Sequence, residues 1–131
     1  MKRTDTRFVI DSSGWIEYFS DGKHAKEFSR YIDKSDPTTT ILPTIVIYEV
    51  YKKLRSVNSE EDSMMAIAHM DNCTTIVDVN IKVAMKAAEL SLEEKLPMAD
   101  ALIYSVAKLS DAKLVTSGSH FQGKEDVIFI F

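Results

Sequence analysis

Three acidic residues, Asp11, Glu49 and Asp100, each interrupt an apolar stretch where the chain passes from a strand into a helix or runs along that helix's first turns. A buried carboxylate is costly unless something positive or hydrogen-bonding faces it. Three carboxylates arriving from distant parts of the chain can meet that need through one shared hard divalent cation. Each acid also has a plainer use. Asp11 suits a helix N-cap. Glu49 precedes Lys53 by one helical turn, the favourable order for a surface pair that contributes ~0.2–0.5 kcal/mol. Asp100 lies among Met98, Ala99, Ala101, Leu102, Ile103, Val106 and Ala107 on a helix expected to be buried, where unpaired first-turn amides could help it.

The elements that must position these acids alternate along the chain. Phe8 to Ile10 is a short β-like run, and Asp11-Ser12-Ser13-Gly14 starts a helix through Trp15, Ile16 and Phe19. Ser20 to Lys23 breaks it, a second helix carries Phe28, Tyr31 and Ile32, and Asp36-Pro37 ends that segment. Thr38 to Leu42 reads as a strand, and Pro43 with Thr44 begins a helix to about Val57. Ser59-Glu60-Glu61-Asp62 starts another, its acids favoured by the helix dipole. Thr74 to Val79 is β-branched and strand-like, Val83 to about Glu94 is an amphipathic helix, and Pro97 opens a helix to about Leu109. Lys113 to Thr116 is a strand, Ser117 to Gly123 a loop, and Val127 to Phe131 a terminal apolar strand. This alternation argues for a parallel sheet covered on both faces, with the ligand beyond the carboxyl ends of the strands where strand order reverses. Asp11, directly after the first strand, lies in that zone.

Composition narrows the function classes. The 131 residues fit a single domain, 1–131, with 45% hydrophobic and 27% charged residues. No apolar run approaches the ~20 residues that span a bilayer. The polar start from Met1 to Arg7 does not read as a signal peptide, so a cytoplasmic protein is expected. Cys73 is the single cysteine and is expected in the core or at its boundary. His24, His69 and His120 lack paired ligand spacing, which disfavours zinc. The four glycines form neither a dinucleotide fingerprint nor a P-loop. A net charge of −4 makes any nucleic-acid contact local. Its candidates are Lys2, Arg3 and Arg7, the helical group Lys52, Lys53 and Arg55, and scattered Lys82, Lys86, Lys108, Lys113 and Lys124, all of which also suit a solvated surface.

Four segments in register carry a family resemblance across nearly the whole chain. They are Phe8-Val9-Ile10-Asp11-Ser12-Ser13, Glu49 within its helix, Leu96-Pro97-Met98-Ala99-Asp100-Ala101-Leu102-Ile103, and Leu114-Val115-Thr116-Ser117-Gly118-Ser119-His120-Phe121. The sequence resembles the PIN-domain nucleases, and most of all the VapC-type toxins of toxin–antitoxin pairs. That resemblance implies a three-layer α/β/α fold with a parallel five-stranded sheet and a metal-dependent endoribonuclease that hydrolyses RNA phosphodiester bonds. Asp11, Glu49 and Asp100 would then hold Mg²⁺ or Mn²⁺ through oxygen atoms and bound waters. Thr116 resembles the family hydroxyl that fixes the first aspartate, and Ser12 is a candidate helper; both also fit as ordinary turn hydroxyls. One departure stands out. The family usually carries a further acid in the loop after the fourth strand, and the matching residue is Gly118, which weakens a two-metal arrangement. Ser117, Ser119 or His120 could hold a water-bound metal instead, or be plain loop residues.

The resemblance also implies a homodimer and a cognate antitoxin over apolar grooves near the acidic site. Met64, Met65, Ile67, Ala68 and Met70 make a methionine-rich helix, whose flexible thioethers suit either an adaptable contact surface or core packing. The expectation to test is that Met64, Met65, Ile67 and Met70 form part of the antitoxin contact. Two rivals remain: a catalytically weakened or inactive PIN-like module binding RNA or protein, motivated by Gly118, and another doubly wound enzyme or phosphoacceptor domain. The second lacks support because no further acid accompanies Asp11 and none directly follows the third strand.

Overall fold

The computed structural model describes residues 6–131; Lys2 and Arg3 lie outside the described residues. Five strands, β1 (Phe8–Ile10), β2 (Thr40–Pro43), β3 (Thr75–Val77), β4 (Lys113–Thr116) and β5 (Val127–Phe129), form one sheet in the order β3-β2-β1-β4-β5. Every neighbouring pair is parallel, with Val9 beside Ile41 on one side and Leu114 on the other. Six helices connect them: α1 (Ser12–Ser20), α2 (Ala25–Ile32), α3 (Thr44–Val57), α4 (Glu60–Asn72), α5 (Ile81–Glu94) and α6 (Met98–Leu109). This is a three-layer α/β/α arrangement. The right-handed crossovers that parallel strands require carry α1 to α4 along one direction of the sheet and α5 and α6 back across it. Strand order reverses at β1, so the crevice for a ligand opens at the carboxyl ends of β1 and β4.

The burial pattern follows from this placement. The central strands are covered on both faces, and Val9, Ile10, Leu42, Leu114 and Val115 are fully buried, whereas edge strand β3 leaves Thr75 and Ile76 exposed. Trp15 and Phe28 fill the space where α1 meets α2, and Tyr104 and Phe121 pack edge to face where α6 meets the loop after β4. Gly14 makes the first of these contacts possible. A Cβ there would stand 2.6 Å from Phe28 Cδ1 and 2.7 Å from Ile10 Cγ2, closer than carbon atoms approach.

Several boundaries differ from the sequence expectation for local reasons. Thr38 and Thr39 are outside β2 because Asp36 Oδ1 accepts their amide protons at 2.7 and 3.2 Å, an Asx-type turn. Pro43 ends β2 beside Val77 and is at the same time the N-cap of α3, which opens at Thr44. β3 stops at Val77, and Asn80 Oδ1 accepts the Val83 amide at 2.9 Å to cap α5. β5 ends at Phe129, and the loop after β4 contains a short 3₁₀ turn, Ser119–Phe121. Ser59 caps α4 by accepting the Asp62 amide.

Met70 requires a correction. It is fully buried, so it is core and not part of a contact surface. Ser63 and Met70, seven residues apart, share the inward face of α4, while Met64 and Met65 point outward at 56% and 65% exposure and Ile67 is half-buried. Cys73 sits at the boundary, also half-buried.

Candidate active site

Asp11 occupies the N-cap position of α1, yet its side chain makes no cap hydrogen bond. The carboxylate turns towards β4 instead. Thr116 Oγ1, at the end of β4, donates to Asp11 Oδ2 at 2.7 Å, and Ser13 Oγ donates to the same oxygen at 3.0 Å. Thr116 is in turn held by the Gly118 amide, which donates to its hydroxyl at 2.9 Å, and the Ser117 amide donates to Ser13 Oγ at 3.4 Å. The start of α1 and the loop after β4 are therefore stitched together around one carboxylate that is only 5% exposed.

Glu49 reaches the same crevice from α3. Its Oε1 accepts from Ser12 Oγ at 2.9 Å, and among the described residues it forms no ion pair with Lys53. The one-turn spacing to Lys53 allowed such a pair, but the hydroxyl at the adjoining helix start takes the carboxylate. Asp100 lies in the first turn of α6, and His120 Nδ1 from the 3₁₀ turn stands 2.7 Å from its Oδ2. Ser119 is exposed at the start of that turn, and Ser117 contributes its backbone amide rather than its hydroxyl to the network.

The Asp100 charge reaches both Asp11 and Glu49, and that of Asp11 reaches Glu49. Burial pushes the Asp11 carboxyl up from its usual value, against the Thr116 and Ser13 hydroxyls, and the Asp100 charge pushes it further. Glu49 is raised for the same reason, first by burial, with Asp11 and Asp100 both adding to the shift against Ser12. Among the described residues no lysine or arginine is among the causes that act on either group. Asp11 and Glu49 are thus held by hydroxyl donors, and Asp100 faces an imidazole.

The donor set fits a hard divalent ion. Among the described residues no three acids, histidines or cysteines form a closed ligand cluster as their side chains stand. What speaks for such an ion is the chemistry of the donors alone: Asp11, Glu49 and Asp100 offer carboxylate oxygens, the ligands that hard divalent cations take. Gly118 has an ordinary extended backbone, φ −71°, so its identity is not demanded by conformation. A Cβ added there would lie 3.6 Å from Asp11 Oδ2 and 3.3 Å from Thr116 Oγ1. The position matching the family's further acid thus borders the Asp11 carboxylate and supplies no side chain to it.

Ser13 was not singled out by the sequence, although its hydroxyl bonds Asp11 and ties it to the β4 loop. The paired serines after Asp11 were the available signal, but sequence alone does not say which of two adjacent hydroxyls faces inward.

Residues 8–126 match the family model for the PIN domain. No curated protein sequence gives a significant match. Among solved structures, the fold is shared with a toxin–antitoxin complex from Klebsiella pneumoniae, at 24% identity and TM-score 0.75, over 92% of this chain and 94% of that one. It is shared also with the sarcin-ricin loop cleaving toxin VapC20 from Mycobacterium tuberculosis, at 15% identity and TM-score 0.73, over 92% and 98%. VapBC2 from Rickettsia felis, bound to a DNA fragment from its promoter, matches at 17% identity and TM-score 0.72, over 95% and 98%.

Proposed function

From the premise that this chain belongs to the PIN domain family, we propose that it is a divalent-metal-dependent endoribonuclease, the toxin of a VapBC-type pair. The observation that carries this reading is the buried Asp11 carboxylate at the strand-order reversal, within the field of Asp100, near enough to act on Glu49, and in no ion pair among the described residues. Structures of toxin–antitoxin complexes with the same fold support it.

Asp11, Glu49 and Asp100 would hold the ion, Mg²⁺ or Mn²⁺. When bound, such an ion lowers the pKa of a coordinated water and offsets charge growing on the phosphate. The chain's own residues prepare that site. Thr116 and Ser13 fix the plane of the Asp11 carboxylate through two bonds on Oδ2. Ser12 holds Glu49 at the same helix start, and His120 sets the rotamer of Asp100. Burial of Asp11 keeps water from screening the charges that must act on the phosphate.

For the antitoxin, the outward face of α4 offers a cleft where Met64, Met65 and Ala68 meet Ser59, Glu60 and Glu61, and a neighbouring one between α3 and α4 is lined by Ile47, Tyr51, Glu60, Met64 and Ile67. For a homodimer, α5 presents Ile81, Met85 and Leu92 at 65–80% exposure along one stripe. No described helix is long and apolar enough to cross a membrane, and a cytoplasmic location remains part of this proposal.

The test is cleavage of RNA by the purified chain, freed of any partner, with Mn²⁺ or Mg²⁺. Asp11→Asn, Glu49→Gln and Asp100→Asn should each reduce cleavage to the level seen in chelator. Activity that survives all three changes, or persists in chelator, removes the mechanism. A second reading, an RNA- or protein-binding module with little catalysis, is favoured by the bare Gly118 position beside Asp11. Metal-independent RNA binding without cleavage under any metal would select it.

A further inference from the structure

A cleft of about 410 Å³ runs away from the acidic site between α1 and α3, lined by Ser12, Ile16, Tyr48, Glu49, Lys52 and Lys53, with Ser56 at its far end. Tyr48, Glu49, Lys52, Lys53 and Ser56 fall within one face of α3 at its 100° per residue, and Lys53 is one ~5.4 Å turn beyond Glu49. The cleft and the acidic site thus share Ser12 and Glu49. Tyr48 is 59% exposed, and Lys52 Nζ lies 5.6 Å from its ring centroid.

Charge decides what can lie here. The molecule carries −4 overall, and three carboxylates converge at the site, so a polyanion must find its cations nearby. Four of the basic candidates are committed elsewhere. Arg7 donates to the Ser110 carbonyl, Lys108 and Lys113 pair with Asp126, and Lys124 pairs with Glu94. Lys52 and Lys53 are exposed and, among the described residues, in no ion pair. They are the cations that border Glu49.

We propose that this α1–α3 cleft seats the nucleotide next to the scissile phosphate of a single-stranded RNA, with Tyr48 stacking on the base and Lys52 and Lys53 contacting phosphates. An aromatic face beside cations, without a bank of base-edge donors, is the arrangement that holds unpaired strands with little sequence preference. The inference rests on the ribonuclease reading for its substrate, but its test reads binding rather than cleavage.

The measurement is fluorescence anisotropy of a labelled single-stranded oligoribonucleotide, titrated across salt, on an Asp11→Asn parent that leaves the RNA intact. Tyr48→Ala should weaken binding about tenfold, and Tyr48→Phe should keep it, since stacking needs the ring and not the hydroxyl. The double change Lys52→Gln with Lys53→Gln should flatten the slope of log affinity against log salt by about 1.4, two phosphate contacts at ~0.7 each. Lys82→Gln with Lys86→Gln on α5 should leave both quantities as they are. The assignment is overturned if the parent binds no RNA, if the Tyr48 and lysine variants bind as the parent does, or if a duplex binds more tightly than the single strand. It is overturned also if those changes weaken only a helical protein partner and spare RNA. A parent that binds through these residues while the unmodified protein cleaves nothing keeps the cleft and ends the nuclease reading; the reverse result ends the cleft and keeps the nuclease.

Discussion

A single buried carboxylate organises the chemistry. By sequence Asp11 suited both a helix cap and a metal ligand; its position is that of a cap, but its side chain is drawn off by Thr116 and Ser13. Removing the Thr116 hydroxyl isolates this effect. Thr116→Val is expected to lower metal affinity or cleavage by roughly 10–100-fold, the usual cost of losing a group that orients a ligand, while Thr116→Ser retains most of both. Metal titration followed by cleavage rate checks it. Gly118 gives the opposite experiment. Its backbone accepts any residue and a Cβ there faces Asp11 with only a few tenths of an ångström to find against Thr116. Gly118→Asp should therefore raise the metal-stimulated rate and sharpen its dependence on metal concentration. An unchanged rate would show that the site works with one ion. At this scale the sequence exposed the acids as interruptions in apolar runs, but not which oxygen bonds which hydroxyl. Ser13 was missed because adjacent hydroxyls differ only in direction.

The elements deliver these residues by close packing. α1 starts immediately after β1, so Asp11, Ser12 and Ser13 are fixed as one unit, and α2 holds α1 down through Phe28. Gly14 shows the tolerance of that packing. Gly14→Ala gains ~1 kcal/mol in helix propensity but forces a methyl into the Phe28 ring and the Ile10 side chain, an overpacking that costs ~1–3 kcal/mol. Contacts as short as 2.6 Å against a buried ring put the cost at the upper end, so the variant should be less stable by about 1–2 kcal/mol, measured by denaturant midpoint. Helix positions were legible in sequence because caps and 3.6-residue periodicity are local. Strand ends were not. Asp36 folded back on the Thr38 and Thr39 amides, and Asn80 chose to cap α5, both decided by side chains competing for backbone donors. Methionine-rich α4 divided the same way: Met64 and Met65 outward, Met70 inward, a partition set by which face meets the core.

Across the whole molecule, the gathered acids make stability depend on pH and metal. Asp11 and Glu49 have folded-state pKa values above their unfolded ones, so their contribution is fully present below about pH 4 and is lost as pH rises through the raised values. In chelator, Asp11→Asn should therefore melt higher than the unmodified protein at neutral pH, by roughly 4 °C for each kcal/mol of relieved penalty, and the gap should close towards pH 4. Adding Mn²⁺ at ~100 times its Kd should stabilise the unmodified protein by about 2.7 kcal/mol and the variant much less. A lower melting temperature for Asp11→Asn in chelator throughout this range would contradict the burial argument. Other acids respond oppositely, as Asp36 and Asp126 are lowered by their own donors, so the comparison between the two proteins carries the test rather than either curve alone.

By itself the sequence determined the alternation of five strands and six helices, hence a parallel doubly covered sheet, and the family to which the chain belongs. Periodicity, caps and β-branched runs act over a few residues, and linear order displays them directly. Tertiary structure alone decided that Glu49 turns to Ser12 rather than Lys53, that the Asp11 carboxylate is tethered to Thr116, and that Lys52 and Lys53 line one cleft with Ser12. Each of those outcomes is a competition between partners tens of residues apart, and its winner depends on distances that exist only after the strands have taken their order.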